Sequence, residues 1–230
     1  MTIPAPARPG EAMARLAADG AANREVLEIV DRRAIQEVLH FTTNLGVLGV
    51  LGSGLLLSTA RLPEERYLEH VYQQNSPTRK DGAWLDFVSL SITDVNEWMF
   101  DHSESWHAHE DLWWACLSFD PGIMAEPGVV FATTNNIYPS VRRAFDGPGL
   151  EAMFDPVVRG RYGHEHDRSG KSDAQPTDRQ AEVLFPKAVA TNMLRTIYVR
   201  QAEHIDDIEG LFAVFPTTNV PVVVRPEMFR

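Results

Sequence analysis

The sequence predicts an α+β fold, in which strands and helices are mixed without a regular βαβ order. Short runs rich in β-branched and aromatic residues recur along the chain. Segments with helical periodicity separate these runs at irregular intervals. The length of 230 residues suits one domain, and hydrophobic residues form 44% of the chain, enough for a substantial core.

The first 20 residues are rich in Pro and Ala and lack a strong apolar period, so residues 1–20 are expected to be a loose leader. Residues 21–230 are expected to form a single domain. The N-terminus has no basic start followed by an apolar stretch, so no secretory signal is predicted and a cytoplasmic location is expected. Cys116, the single cysteine, lies in an apolar run and is expected to be a buried thiol.

From Asn23, apolar residues recur at spacings of three and four, which predicts an amphipathic helix with Asn23 as its N-cap. A short strand should follow, from about Val38 to Thr42 or Thr43. The next segment, Leu45 to Leu57, is expected to be a buried helix loosened by glycines. With 13 residues it is too short to span a bilayer, so no membrane role is expected.

Further strands are predicted downstream, and Pro221 marks the last of them as an edge strand. They are Asp86 to Ile92, Leu112 to Phe119, Val129 to Ala132, Glu182 to Phe185, Thr196 to Val199 and Val220 to Val224. Helices are predicted at about 139–153, 186–194 and 202–211. The polar stretch from Val158 to Arg179 is long for an ordinary connection, which predicts a functional or mobile loop.

The formal net charge of −11 argues against the broad basic surface of a protein that grips many phosphates. Basic residues nevertheless cluster at Arg79-Lys80, at Arg142-Arg143 and from Arg159 to Lys171. An enzyme that extrudes a single base needs only a local basic groove. Nucleic acid therefore stays open as a substrate class.

The segment Gln180-Ala181-Glu182 lies where the polar loop runs into an apolar strand. Residues two apart in a strand face the same way, so Gln180 and Glu182 should project into one cleft. A fixed carboxylate stabilises the oxocarbenium-like state that forms when the N-glycosidic bond of NAD⁺ is cleaved. Taken alone, a Glu at a strand edge that faces solvent is the more common arrangement.

Two further segments could hold parts of a dinucleotide. His40 and Thr42 lie two apart at a strand end, where they could bind a ribose; a core histidine with Thr42 as a helix cap is the alternative. Arg79 lies in a predicted loop, and its guanidinium matches a pyrophosphate; an ordinary surface turn is the alternative.

The remaining candidates are weaker. The histidines in two polar segments lack a recognisable ligand set, so no metal site is expected. They are His102, His107 and His109, and His164 and His166. Trp98, Trp106, Trp113 and Trp114 could stack on bases, but core positions are favoured.

Taken together and in this order, these segments resemble the DarT family of ADP-ribosyltransferases over roughly residues 25 to 200. The matching segments are His40-Phe41-Thr42 with Gly54-Leu55-Leu56; Asn75, Arg79 and Asp81 before Val88 to Ile92, Asn96 and Met99; Trp114 with Asp120-Pro121; Phe131 to Asn135; Gln180 to Leu184; and the strand at Thr196. One departure is Gly46, which occupies the place of a family Asn; Asn44 could take that role.

The resemblance implies an ADP-ribosyltransferase core of two small sheets that form an NAD-binding cleft, with flanking helices. It implies a toxin-type enzyme that attaches ADP-ribose from NAD⁺ to a nucleobase of single-stranded DNA without a metal, and a macrodomain-type antitoxin as a further partner. The implied roles are catalysis for Glu182 and Arg79, NAD⁺ binding for His40, Thr42, Arg79 and Gln180, and DNA binding for Arg159, Arg161, Arg168 and Lys171. Two alternatives stay open: an RNA or protein acceptor, and a catalytically idle NAD-binding module.

Overall fold

The structure is a computed structural model that describes residues 6–17, 22–62, 82–106, 112–216 and 218–229. Within these residues the helices are α1 (Pro9–Ala17), α2 (Arg24–Arg32), α3 (Asn44–Ser53), α4 (Glu97–Trp106), α5 (Asp146–Ala152) and α6 (Glu203–Val214). The strands are β1 (Val38–Thr43), β2 (Leu55–Leu57), β3 (Phe87–Ile92), β4 (Trp114–Phe119), β5 (Val130–Ala132), β6 (Arg143–Ala144), β7 (Val157–Arg159), β8 (Glu165–Asp167), β9 (Glu182–Pro186), β10 (Ala188–Ala190), β11 (Leu194–Val199) and β12 (Val222–Val224).

In the described ranges the main sheet has eight strands in the order β12-β11-β4-β1-β3-β9-β5-β6. Two smaller sheets pair β10 with β2 and β7 with β8. The strand order does not follow the chain order, and all pairs except β11 with β12 are antiparallel. This mixed arrangement confirms the predicted α+β class. No helix among the described residues is long and apolar enough to cross a membrane.

The first part of the domain follows its local sequence signals. The Asn23 side chain accepts a 3.2 Å hydrogen bond from the Val26 amide, as predicted for an N-cap. Val26, Ile29 and Val30 then bury the apolar face of α2 in the core. The strand predicted to follow is β1, Val38–Thr43.

The glycine-rich segment after β1 differs from its prediction as one long helix. Helix α3 ends at Ser53, because Gly54 adopts a left-handed backbone with φ of 72° that favours glycine. The next residues, Leu55–Leu57, form β2 and pair with β10. The hydrophobic run is thus divided between a helix and a strand, and pairing with a distant segment decides where it divides.

Three other segments differ from expectation. Residues 186–194, predicted as a helix, form β10 and a 3-10 turn, because they pair with β2. The helix predicted at 139–153 is shorter, since Arg143–Ala144 pairs with β5 before α5 begins. Helix α4 was not predicted. Cys116 is buried and free, and β12 lies at the edge of the main sheet, as predicted.

The N-terminal leader also contains more structure than expected. Residues 9–17 form α1, and Ala7 and Ala12 are buried in a cluster with Trp84 and Phe87. The small alanine side chains allow the leader to pack closely against these aromatic rings. The sequence did not predict this packing, because the leader has little apolar periodicity. Arg15 adds a 2.6 Å ion pair with Asp146 at the start of α5.

Candidate active site

Strand β3 joins the two halves of the main sheet. It pairs with β1 only at Val38–Ile92 and Leu39–Ser91, whereas β4 pairs with β1 along its whole length. The other end of β3, residues 87–90, pairs with β9. Backbone pairing between β1 and β3 therefore stops after Leu39, and the two small sheets that were predicted are the two halves of one eight-stranded sheet, joined by this short ladder.

His40 lies at the point where the two strands separate. Its Nδ1 is 3.0 Å from the Ser89 carbonyl oxygen, which can only accept, so Nδ1 carries the proton. Burial lowers the pKa of the imidazole below its ordinary value, and the hydrogen bond to Ser89 opposes this shift only in part. The ring is consequently neutral near pH 7, and Nε2, which has no hydrogen-bond partner among the described residues, can accept a hydrogen bond from a hydroxyl.

The end of β1 positions polar groups at the start of α3. The helix cap is Thr43, whose hydroxyl accepts a 3.2 Å hydrogen bond from the Gly46 amide. The alternative role of Thr42 as the cap is therefore wrong; its side chain is buried. A Cβ at Gly46 would overlap the Thr42 hydroxyl, so an Asn at position 46 would displace Thr42. Asn44 Oδ1 is buried and has no hydrogen-bond partner among the described residues.

Glu182 lies close to the same point from the opposite half of the sheet. It begins β9 and pairs with Ala132 of β5. On its other side, Leu90 pairs with Val183, so the register places Glu182 beside Ser91, the partner of Leu39. The structure thus brings the strands that carry His40 and Glu182 to the two sides of β3.

Gln180 contacts a residue that the sequence did not indicate. The Tyr138 hydroxyl donates a 2.7 Å hydrogen bond to Gln180 Oε1, which leaves the amide NH₂ free to donate elsewhere. Burial raises the pKa of the Tyr138 phenol, the Arg161 charge opposes the shift, and the Asp178 and Glu182 charges add to it. Tyr138 therefore lies within electrostatic reach of Glu182.

Asp178 holds the turn that precedes Glu182. It is 1% exposed, and its carboxylate accepts hydrogen bonds of 2.5 Å from the Thr134 hydroxyl and 2.9 Å from the backbone amide of Gln180. His166 Nε2 lies 3.6 Å from the same carboxylate. Asp side chains often accept a hydrogen bond from the backbone amide two residues further on and so stabilise turns. Asp178 could therefore have been recognised from the sequence.

The four basic residues predicted to bind DNA have different surroundings. Arg159 is exposed and forms a 3.3 Å ion pair with Glu165. Arg161 is also exposed, and its guanidinium lies 5.0 Å from the centre of the Trp98 ring. Arg168 donates to the Ser172 and Gln175 carbonyls and to the Thr177 hydroxyl, so it stabilises the loop itself. Burial, and then the Arg179 charge, lower the pKa of Lys171.

Three of the candidate residues lie outside the part of the chain that the structure describes. Arg79 is not among the described residues, and its predicted roles stay predictions. His107 and His109 also lie outside them. Within the described ranges no three His, Cys, Asp or Glu side chains are grouped as a metal ion would require.

The chain is similar to known proteins in family and in fold. The family model described as "ssDNA thymidine ADP-ribosyltransferase, DarT" matches residues 39–230. A search of curated proteins found no match. Solved structures with a similar fold include the three that follow.

DarT from Thermus sp. 2.9 in complex with carba-NAD⁺ has a TM-score of 0.61 and 15% identity, over 85% of this chain and 98% of that one. The same protein in complex with ADP-ribosylated ssDNA has a TM-score of 0.60 and 17% identity, over 86% and 97%. DarTG from Thermosipho africanus in complex with ADP-ribose has a TM-score of 0.50 and 14% identity, over 84% and 51%.

Proposed function

We propose, from the premise that this chain belongs to the DarT family of ssDNA thymidine ADP-ribosyltransferases, that Glu182 is its catalytic carboxylate and that the cleft beside β3 holds NAD⁺. The chain is thus an NAD-dependent ADP-ribosyltransferase that acts on single-stranded DNA. The observation that carries the residue assignment is the separation of β1 from β3 beyond Leu39. Beyond that point the strand of His40 makes no backbone pair with β3, whose other edge pairs with the strand of Glu182.

The polar groups of β1, the start of α3 and the turn before β9 suit a dinucleotide. His40 Nε2, as a neutral acceptor, suits a ribose hydroxyl, and Thr42 lies two residues further along β1. Asn44 Oδ1, buried and without a partner among the described residues, suits an amide or amino donor of the substrate. Gln180 has an amide NH₂ to donate. Arg79, which the structure does not describe, completes the proposal as the clamp on the pyrophosphate.

The reaction breaks the bond between the ribose C1″ and the nicotinamide nitrogen. The electron pair leaves with nicotinamide, and positive charge develops on the ribose. The carboxylate of Glu182, the first residue of β9, is proposed to stabilise that charge. The Asp178 carboxylate accepts hydrogen bonds from the Thr134 hydroxyl and from the backbone amide of Gln180, and these keep the turn before Glu182 in place.

The acceptor is a thymine base, according to the description of the family. In thymidine the ring nitrogen N1 is bonded to deoxyribose, so N3 is the nitrogen that can bond to C1″. Its proton must leave as the new bond forms, and Glu182 is proposed to take it. The base is proposed to enter from the side of the β7–β8 hairpin, where Arg159 and Arg161 are exposed.

The wider setting is part of the same proposal. A macrodomain-type antitoxin and a cytoplasmic location stay predictions. The net charge of −11 also keeps an RNA or protein acceptor as the second candidate for this chain.

Incubation with NAD⁺ and a DNA oligonucleotide that contains one thymidine tests the proposal. We expect the DNA to gain the mass of one ADP-ribose, and an oligonucleotide without thymidine to remain unchanged. RNA of matched sequence and a protein lysate serve as competing acceptors, and Glu182→Gln is the matched control variant. If RNA or protein gained ADP-ribose while the DNA remained unmodified, that molecule would replace DNA as the proposed acceptor. If no nicotinamide were released, the chain would be an idle NAD-binding module.

A further inference from the structure

We propose that Tyr162, with Arg161 and Trp98, forms a stacking site for a base that flanks the modified thymidine. The site lies at the turn between β7 and β8, outside the cleft assigned to NAD⁺. This inference rests on the proposed function, because it concerns the DNA acceptor of the same reaction. It adds a second contact surface to the site around Glu182.

Tyr162 is the most exposed large hydrophobic residue among those described, at 84%. It also has a left-handed backbone, with φ of 55° and ψ of 22°, which a residue with a Cβ adopts rarely. Gly or Asn would satisfy this turn at a lower conformational cost. An exposed ring contributes little to folding, so neither the burial nor the backbone explains a tyrosine here.

Arg161 connects this ring to the body of the domain. Its guanidinium lies 4.9 Å from the centre of the Tyr162 ring and 5.0 Å from the centre of the Trp98 ring in α4. Both distances are typical of a cation–π contact. The guanidinium also donates a 3.2 Å hydrogen bond to the Tyr162 hydroxyl oxygen. One cation between two aromatic rings orients the exposed ring.

The chemistry of this group matches a single-stranded nucleotide. Proteins that bind single strands combine aromatic rings, on which bases stack, with cations that contact the backbone. The Tyr162 face offers the ring, and Arg161 and Arg159 offer the positive charge, although Arg159 is shared with Glu165. A base has a π-face whatever its identity, so the site would tolerate any flanking base.

The segment from Tyr138 to Ser140 connects this group with the turn before Glu182. The Ser140 hydroxyl donates a 2.8 Å hydrogen bond to the carbonyl of Gly160, the residue before Arg161. The Tyr138 hydroxyl donates to the side chain of Gln180, two residues before Glu182. One short segment therefore contacts both sites, and we expect the stacked base to be adjacent to the modified one.

The test combines variants of the protein with oligonucleotides that lack one base. The proteins are the parent, Tyr162→Ala, Tyr162→Phe and the control His164→Ala, an exposed residue of the same hairpin. The oligonucleotides contain one thymidine, with an abasic residue introduced in turn at each neighbouring position. KM for DNA, kcat and the release of nicotinamide without DNA are measured for each pair.

We expect Tyr162→Ala to raise KM for intact DNA about tenfold, the loss of one stacked base, while Tyr162→Phe and His164→Ala change it less than about twofold. Removing the base at one of the neighbouring positions should raise the KM of the parent for DNA by a similar factor. The same abasic oligonucleotide should not raise the KM of Tyr162→Ala any further. Nicotinamide release without DNA should be unchanged, which also shows that the variant is folded.

Several results would overturn the inference. One is a parent-like KM of Tyr162→Ala, and another is an abasic effect that persists in full in this variant. Slower nicotinamide release without DNA, at an unchanged midpoint of thermal unfolding, would mean that Tyr162 contacts NAD⁺ instead of a base. If the parent itself modifies no oligonucleotide, the proposed function fails, and the stacking site fails with it.

Discussion

The Tyr138 hydroxyl donates a 2.7 Å hydrogen bond to the side-chain oxygen of Gln180. This contact connects the segment after β5 to the turn that leads into β9. It fixes the orientation of the Gln180 amide, because an oxygen that accepts from Tyr138 leaves the NH₂ group to point elsewhere. The residue proposed to contact NAD⁺ is therefore held by one that the sequence did not single out.

Replacing Tyr138 with Phe should remove this contact while preserving the ring. A hydrogen bond of this kind contributes about 1 kcal/mol, so we expect kcat/KM for NAD⁺ to fall about fivefold. Steady-state nicotinamide release measures the effect. In a Gln180→Ala background the same replacement should have almost no further effect; full additivity of the two changes would mean that Tyr138 acts independently of Gln180.

Replacing Glu182 with Gln should lower kcat by at least about 100-fold, because a neutral amide cannot stabilise a developing cation. The free energy of unfolding should change by less than about 1 kcal/mol, since Glu182 is only partly buried. Product formation on DNA and thermal unfolding measure the two quantities. Near-normal turnover of this variant would remove Glu182 from the catalytic role.

The bond between Thr134 and Asp178 should contribute to stability. Thr134→Val removes the hydroxyl that donates to a carboxylate with 1% exposure, which should cost about 2 kcal/mol of unfolding free energy. Denaturant unfolding at pH 7 measures this loss. Thr196→Val, a partly buried position of β11, serves as the matched control, and an equal effect of both variants would argue against a special role of the Asp178 contact.

His40 should make the protein less stable in mild acid. Burial lowers its pKa in the folded state below the ordinary value of 6.5. The unfolded chain therefore binds a proton before the folded chain does, and the stability present above about pH 6.5 is lost as the pH falls towards the folded pKa. Unfolding free energies at a series of pH values test this expectation, and His40→Asn should flatten this part of the profile.

The basic residues of the hairpin should separate into two functional types. Arg159→Gln should raise KM for DNA and reduce the salt slope by about 0.7, the contribution of one phosphate of a single strand. Arg168→Gln should instead lower the midpoint of thermal unfolding, because its guanidinium holds three groups of the loop. KM for DNA between low and moderate salt, together with thermal unfolding, distinguishes them. Identical behaviour of the two variants would contradict this division.

Elements governed by neighbours in the chain were predictable. The Asn23 cap, the strand from Val38 and the edge position marked by Pro221 depend on side chains within a few residues, so local patterns are sufficient. Residues 186–194 were not predictable in this way. Their β structure depends on pairing with Leu55–Leu57, more than a hundred residues earlier in the chain.

The sequence by itself determined the class of fold, the order of the motifs and the identity of the polar groups at His40, Thr42, Gln180 and Glu182. Tertiary structure alone decided that the pairing of β1 with β3 ends after Leu39. It also decided that Tyr138 reaches Gln180 across 42 residues of chain. Sequence patterns report which face of an element is apolar, whereas the partner of a polar side chain is set by how distant elements pack.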